Sequence, residues 1–247
     1  EGKKEGYETM VGANAVTTTE TTMYIPLEFW FCRNPGLALP LIALQYHEVK
    51  VNLEFNSAAV AGITAGTMGT TSLWVDYIFL DTDERRRFAQ LSHEYLIEQL
   101  QFTGEETVTA SSTNKVKLNF NHPVKELVWV LQASATNTYT FLKATNAKLQ
   151  LNGHDRFAER SGEYFTLVQP YQHHTNIPTG ADNHLHVYSF ALKPEEHQPS
   201  GTLNMSRIDT AVLNITTPAD AVRARVYATN YNVLRVMSGM GGLAYSN

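Results

Sequence analysis

Strict alternation of apolar and polar side chains at residues 47–55 is the feature that most constrains the fold of this chain. The apolar positions are Val49, Val51, Leu53 and Phe55, and the polar ones are Glu48, Lys50, Asn52 and Glu54. Because successive side chains of a β-strand point to opposite faces, this pattern predicts a strand with one face in a core and the other in water. Such strands are typical of antiparallel sheets. We therefore expect the four apolar residues to be buried.

Further strands are predicted at short spacing, between loops rich in Thr, Asn, Gly and Pro. They lie near 73–80, from 94, and near 115–120, 124–132, 138–151, 164–170, 184–192, 204–216 and 221–236. Many short strands joined by such loops are typical of a sandwich or barrel, so the predicted fold class is all-β. Residues 94–247 hold enough strands for a complete jelly roll, whereas 23–80 hold only three or four.

A single short helix is predicted between these two groups of strands. Asp81 or Thr82 can cap its N-terminus, and Glu84 follows Asp81 by three positions, as in a capping box. Asp83 adds negative charge where the helix dipole is positive.

The helix suggests three parts in the chain. Residues 1–80 form a partial first domain that opens with a polar segment at 1–22, residues 81–93 form a linker helix, and residues 94–247 form a second domain. Because three or four strands cannot close a sandwich, and because the first residue is Glu1 and not Met, we expect that further sequence precedes this chain.

The amino-acid composition argues against some classes of function. Charged residues make up 17% of the 247 residues, against about 25% in typical proteins. The formal net charge of −5 argues against a dedicated nucleic-acid-binding protein, which would carry a basic face. Cys32 is the only cysteine, so no intrachain disulfide forms, and its aromatic surroundings predict a buried, small hydrophobic side chain in a strand.

The candidate metal sites have incomplete ligand patterns. His184 and His186 would share one face of a strand, as in metal-binding cupins, but a Glu should follow three or four positions later. Ser189 and Phe190 stand there, which favours solvated or core-edge histidines. His173 and His174 would point to opposite faces if extended.

The remaining candidate motifs have structural interpretations. Residues 238–242 are glycine-rich without the Lys of a phosphate loop, and no Gly-x-Ser-x-Gly motif occurs. Asp81, Asp83 and Glu84 are best explained as helix-capping residues. Asn204 and Asn214 begin glycosylation patterns that we interpret as chance matches. The sequence therefore predicts no catalytic, cofactor-binding or metal-binding residues and no enzyme activity.

A run of three arginines, residues 85–87, leaves alternatives open. The guanidinium groups could pair with carboxylates of the same chain or of a neighbouring subunit, they could be solvated on a helix face, or they could contact nucleic acid.

Three long segments carry a resemblance to a known family. They are FWFCRNPGLALPLIALQYHEV at 29–49, LDTDERRRFAQ at 80–90 followed by HEYLIEQ at 93–99, and RVMSGMGGLAYSN at 235–247. NGHDRF at 152–157 and Pro170-Tyr171 fit between them in order. These segments resemble the major capsid proteins of nucleocytoplasmic large DNA viruses, such as iridoviruses and algal viruses. The resemblance covers nearly all of 24–247 and takes nothing from 1–22.

This resemblance implies two tandem antiparallel jelly rolls joined by a short helix, of which the first is partial here. It implies a structural protein that forms homotrimers of six-sided outline and tiles an icosahedral shell. The expected partners are other copies of the chain, neighbouring capsomers, minor capsid proteins and an inner membrane beneath the shell, with no cofactor and no specific nucleic acid. The expected location is the virion, after assembly in the host cytoplasm. The alternative function is that of a jelly-roll carbohydrate-binding module.

Overall fold

The computed structural model describes residues 4–12, 22–55, 69–133, 141–177, 184–221 and 223–245. The chain divides into two compact units, Glu1–Pro40 and Leu41–Asn247. The first unit contains helices α1 (Lys4–Val11) and α2 (Trp30–Arg33) and a 3₁₀ turn at Pro35–Leu37. Asn34 caps this turn, because its side-chain oxygen accepts a hydrogen bond of 2.9 Å from the Gly36 N–H.

The second unit is built mainly from antiparallel strands. Their bounds are β1 (His93–Thr107), β2 (Thr113–Leu118), β3 (Pro123–Gln132), β4 (Phe141–Leu142), β5 (Asn146–Leu151), β6 (His154–Asp155), β7 (Arg160–Ser161), β8 (His186–Ser189), β9 (Leu203–Asn204), β10 (Ala211–Thr216), β11 (Arg223–Met237) and β12 (Met240–Leu243). One sheet has the order β1-β11-β3-β4, with β12 on β11 and with β8 and β9 on β3. The other has the order β2-β10-β5-β6, with β7 on β5. The all-β fold class is confirmed.

The inner faces of the two sheets share one core. Alternate residues of three strands reach it: Leu127, Trp129 and Leu131 of β3, Leu213 and Ile215 of β10, and Ala224, Val226 and Ala228 of β11. The large members of this set each stabilise the fold by about 1.5–3 kcal/mol through burial. The strand predicted near 221–236 is confirmed as β11, in which partly exposed and buried residues alternate from Arg223 to Asn230.

The predicted helix is present as α3 (Thr82–Gln90). Asp81 and Glu84 form a capping box, in which the Glu84 N–H donates to Asp81 Oδ1 at 2.9 Å and the Asp81 N–H donates to Glu84 Oε2 at 3.2 Å. The helix ends before Leu91, whose N–H donates to the Arg87 carbonyl oxygen at 3.0 Å. None of the helices in the described residues has the length and hydrophobicity that a transmembrane helix requires.

The predicted strands at 47–55 and 73–80 are wrong for this chain. Neither stretch pairs with another strand within the described residues, and Val49, Val51, Leu53 and Phe55 are 43%, 38%, 50% and 58% exposed. Trp74 and Phe79 are 86% and 91% exposed. Alternation buries a face only where a neighbouring strand supplies the sheet, and the described chain offers these segments no such strand.

The predicted strand at 164–170 is also wrong, because this segment is helical. A π-helical turn at Tyr164–Val168 continues into α4 (Gln169–His173). The residues buried here are Phe165, Thr166, Gln169 and Pro170. Their spacing of one, four and five positions fits one helical face and not one strand face. Phe165 reaches the core, with its ring centroid 5.0 Å from that of Trp129.

Candidate functional site

His186 lies in the core and uses both of its ring nitrogens. It is 0% exposed, pairs with Trp129 across β8 and β3, and stacks on that indole at 5.4 Å between ring centroids. Its Nε2 accepts a hydrogen bond of 2.9 Å from the Ala144 N–H, and its Nδ1 donates to the Trp129 carbonyl oxygen at 3.3 Å. Burial lowers the pKa of His186 to about 4. The side chain is therefore a neutral structural group with no nitrogen left for a metal, and His184 remains outside this core.

His173 and His174 occupy the end of α4 and do not form a ligand pair. Nδ1 of His173 lies 3.0 Å from the Leu192 carbonyl oxygen. The His174 ring lies between the carboxylates of Glu126 and Glu195. In the part of the chain that the structure describes, no group of three or more His, Cys, Asp and Glu side chains is arranged to hold a metal ion.

The charged residues of α3 cap the helix, form an exposed ion pair or lie exposed on its surface. Asp81 and Glu84 are the cap described above, as predicted. Arg86 lies 4.0 Å from Asp83 one turn away, and both side chains are exposed. Such an exposed pair contributes at most about 1 kcal/mol. Arg85 and Arg87 are exposed on the same short helix.

The glycine-rich segment at 238–242 forms a tight hairpin between β11 and β12. Ser238 and Gly239 have φ values of 55° and 82° and join β11 to β12 in a two-residue loop. The Tyr46 N–H donates to the Gly239 carbonyl oxygen at 2.9 Å. A Cβ atom on Gly239 would lie 2.4 Å from Tyr46 Cδ2, so this turn needs glycine.

Cys32 does not match its prediction. It is exposed and lies in helix α2, none of whose residues is buried, so it is not the buried strand cysteine that its aromatic neighbours suggested.

Asn214 is buried in β10 and donates to Gln150 Oε1 at 3.0 Å. Asn204 accepts a hydrogen bond of 3.1 Å from the Ser206 N–H. Both asparagines thus have structural partners.

A cleft of about 330 Å³ separates the end of α3 from the β11–β12 hairpin. Its walls include Phe88, Leu91, Val236 and Met237, and its lining contains no acidic or basic side chain. General acid–base chemistry needs a titratable group within hydrogen-bond reach of a substrate, and this lining offers none.

The most unusual surface feature is an excess of exposed large apolar side chains. We call the following residues the apolar segments: Val49, Val51, Leu53 and Phe55 in the first, and Leu73, Trp74, Val75, Tyr77, Ile78 and Phe79 in the second. The outer face of the first sheet adds Leu100 and Phe102, and Phe102 stacks on Tyr227 at 4.7 Å. Large exposed apolar patches on soluble proteins mark surfaces of interaction.

Comparisons with known protein families agree with this picture. A family model described as "Large eukaryotic DNA virus major capsid protein" matches residues 84–242, and a model described as "Major capsid protein N-terminus" matches residues 1–81. The second match includes residues 1–22, so the expectation that this segment adds nothing to the resemblance is wrong.

Individual relatives and solved structures give the same result. The chain is 57% identical to the major capsid protein of Pyramimonas orientalis virus, over 100% of this chain and 69% of the relative. It is 45% identical to that of Paramecium bursaria Chlorella virus 1, over 95% of this chain and 69% of the relative. The crystal structure of PBCV-1 VP54, fitted into a reconstruction of the virophage Sputnik, matches with a TM-score of 0.79 and 40% identity, over 98% of this chain and 75% of that chain. A quasi-atomic model of the PBCV-1 virus capsid matches with a TM-score of 0.76 and 39% identity, over 98% of this chain and 75% of that chain.

Proposed function

Because the chain belongs to the family of major capsid proteins of large eukaryotic DNA viruses, we propose that it builds a viral shell as homotrimers of six-sided outline that tile an icosahedron. Its function is then assembly, and it needs no cofactor, metal ion or catalytic residue. The observation that carries this proposal is the large exposed apolar surface of the apolar segments together with a low content of charged residues.

The physical argument concerns what such a surface does in water. Each large apolar side chain left exposed forgoes about 1.5–3 kcal/mol of burial free energy. The buried parts of protein interfaces are depleted in charged residues and enriched in Tyr, Trp and Phe. The apolar segments have this composition, since Trp74, Tyr77 and Phe79 lie within a few positions of one another. A closed symmetric assembly can cover such surfaces without leaving free edges.

We also propose the domain arrangement inferred from the sequence. Residues 1–80 are assigned to a first jelly roll, 81–93 to the linker and 94–247 to a second jelly roll. The capped helix α3 (Thr82–Gln90) supports this arrangement, because it separates residues 1–80 from the strands that begin at His93. Minor capsid proteins and a membrane beneath the shell are the further partners we propose, with the virion as location and the host cytoplasm as the place of assembly.

The proposal is tested on the product of the complete gene by analytical ultracentrifugation and electron microscopy. We expect a species with three times the subunit mass, and six-sided particles in projection. Leu53→Asp should reduce the trimer or aggregate the protein, while the matched control Asn52→Asp, at an adjacent exposed polar position, should leave assembly unchanged.

Two results would contradict the proposal. A stable monomer at micromolar concentration, with no shell or trimer in infected cells, would exclude the assembly function. If that monomer also bound sugars on a glycan array, the alternative of a carbohydrate-binding module would replace it.

A further inference from the structure

One histidine joins α4 and the loop at residues 192–200 to strand β3. His174 follows α4 directly, and its ring lies between two carboxylates. Nε2 is 3.3 Å from Glu126 Oε2 on β3, and Nδ1 is 3.1 Å from Glu195 Oε1 in the loop. The side chains of His174 and Glu126 are only 16% and 15% exposed. The imidazole is thus the central group of a three-residue contact between elements that are distant in sequence.

Only the doubly protonated ring fits this arrangement. A neutral imidazole has one N–H and one lone pair, whereas the imidazolium donates from both nitrogens. With a carboxylate oxygen facing each nitrogen, the neutral ring must set its lone pair against one of them. Within the described chain, His174 Nε2 and Glu126 Oε2 are buried and neither has a hydrogen-bond partner, so the 3.3 Å contact between them is an ion pair and not a well-formed hydrogen bond. Loss of the proton would therefore leave a buried carboxylate oxygen without its cation, which is costly.

Both carboxylates favour the protonated form of His174. Glu126 raises the pKa of His174, Glu195 adds to the effect, and partial burial opposes it without cancelling it. Burial would raise the pKa of Glu195, but hydrogen bonds from Thr175 and His174 lower it below its usual value. Glu195 is therefore charged at neutral pH. It also accepts a hydrogen bond of 3.1 Å from the Thr175 N–H, next to the histidine.

We propose that His174 is a pH-dependent clasp, which in its protonated form holds the Glu195 side of the 192–200 loop against β3 and the end of α4 and which releases that side of the loop as the pH rises. The contribution of the clasp is fully present below the ordinary histidine pKa of about 6.5. It is lost as the pH rises through the raised pKa of His174.

Other charged groups near the clasp are already paired. Lys125 of β3 lies 2.6 Å from Glu98 of β1 and donates to the Pro194 carbonyl oxygen at 2.7 Å. Lys193 of the loop pairs with Glu196 at 2.9 Å. Burial raises the pKa of Tyr231, so this phenol stays neutral in the range concerned.

Neighbouring contacts also tie the loop to the rest of the domain. The contact of His173 with the Leu192 carbonyl oxygen requires only one N–H, which a neutral ring also has. The Lys125 contact with Pro194 is independent of the histidine. We therefore expect release of the Glu195 side of the loop, while these two contacts stay in place.

The test combines NMR titration of the histidine rings with amide hydrogen exchange on the full chain between pH 6 and 9. Protection factors are compared in place of raw exchange rates, because intrinsic exchange accelerates with pH. We expect a His174 pKa above 6.5 and a loop protection factor that falls with pH. Each unit by which the pKa exceeds 6.5 corresponds to about a tenfold decrease in the ratio of closed to open loop, and hence in the protection factor. In His174→Gln, protection should be low at pH 6 and independent of pH.

Glu195→Gln and Glu196→Gln form the matched pair for this test. Glu195→Gln should lower the pKa of His174 and the protection of the loop, and because Glu195 is 40% exposed this variant is expected to fold. Glu196→Gln should behave as the unmodified chain, because Glu196 faces Lys193. A His174 pKa at or below 6.5, pH-independent loop protection in the unmodified chain, or equal behaviour of the two glutamine variants would each overturn the proposal.

Discussion

Acid should destabilise this fold through His186, and the effect can be isolated by removing that one ring. The His186 side chain is 0% exposed and hydrogen-bonded at both nitrogens, so it cannot accept a proton without losing the contact with the Ala144 N–H. Burial lowers its pKa from 6.5 to about 4. In the unfolded chain the same ring takes up a proton at about pH 6.5.

The magnitude follows from linkage. Between pH 6.5 and 4 the unfolded chain binds one more proton at this position than the native chain, so the free energy of unfolding decreases as the pH falls. The lowering of the pKa from 6.5 to about 4 amounts to about 3 kcal/mol when fully expressed, and to about 2–3 kcal/mol at pH 4.5. Such a loss is a large fraction of the 5–15 kcal/mol typical of a folded domain.

The assay is urea denaturation of the unmodified chain and of His186→Gln at pH 7 and at pH 4.5. The glutamine variant should be less stable at pH 7, by about 1–3 kcal/mol, because it loses ring stacking and leaves imperfect hydrogen bonds. At pH 4.5 the difference between the two proteins should shrink or reverse, by about 2–3 kcal/mol. A pH dependence that is the same in both proteins would refute the assignment of His186 as the acid-sensitive group.

Three further substitutions test other parts of the structure. Gly239→Ala should lower the free energy of unfolding by about 1–3 kcal/mol, because φ of Gly239 is +82° and the new Cβ would clash with the Tyr46 ring. In thermal melts the control Gly242→Ala should leave stability unchanged, because its Cβ would meet nothing within 4 Å. Asp81→Ala should cost about 1 kcal/mol through loss of the α3 cap, against little for Asp83→Ala, which makes no capping bond, as measured by chemical denaturation. Phe165→Ala should cost about 3–5 kcal/mol and the exposed Leu167→Ala much less, and equal losses would contradict the helical arrangement of this segment.

Features set by neighbouring residues could be predicted from the sequence. The capping box of α3 needs only residues 81 to 84, and both of its hydrogen bonds are present. The strand predicted near 221–236 is present as β11, and its residues alternate between the core and the outer face from Arg223 to Asn230, because this strand has paired neighbours on both sides, β1 and β3. Where local pattern and tertiary environment agree, the pattern is sufficient.

Features set by distant residues could not be predicted in this way. The alternation at 47–55 is as regular as that of β11, yet its apolar side chains are exposed because no described strand pairs with it. The helical segment at 164–173 contained a usable signal, because Phe165, Gln169 and Pro170 have the spacing of one helical face. The segment is short, however, and a short segment makes helix and strand hard to distinguish.

The buried His186 and the half-buried His174 show most clearly why the sequence alone cannot assign function to a residue type. His186 meets an N–H and an indole, and its pKa is lowered, whereas His174 meets two carboxylates, and its pKa is raised. These partners come from positions 42 and 57 residues away for His186 and 21 residues away for the loop carboxylate of His174. Below about pH 6.5 the fold loses stability through His186, and above about pH 6.5 it begins to lose stability through His174. Because the two rings have opposite environments, their combined contribution to the free energy of unfolding is greatest near pH 6.5, the ordinary histidine pKa. It decreases at lower pH through His186 and at higher pH through His174.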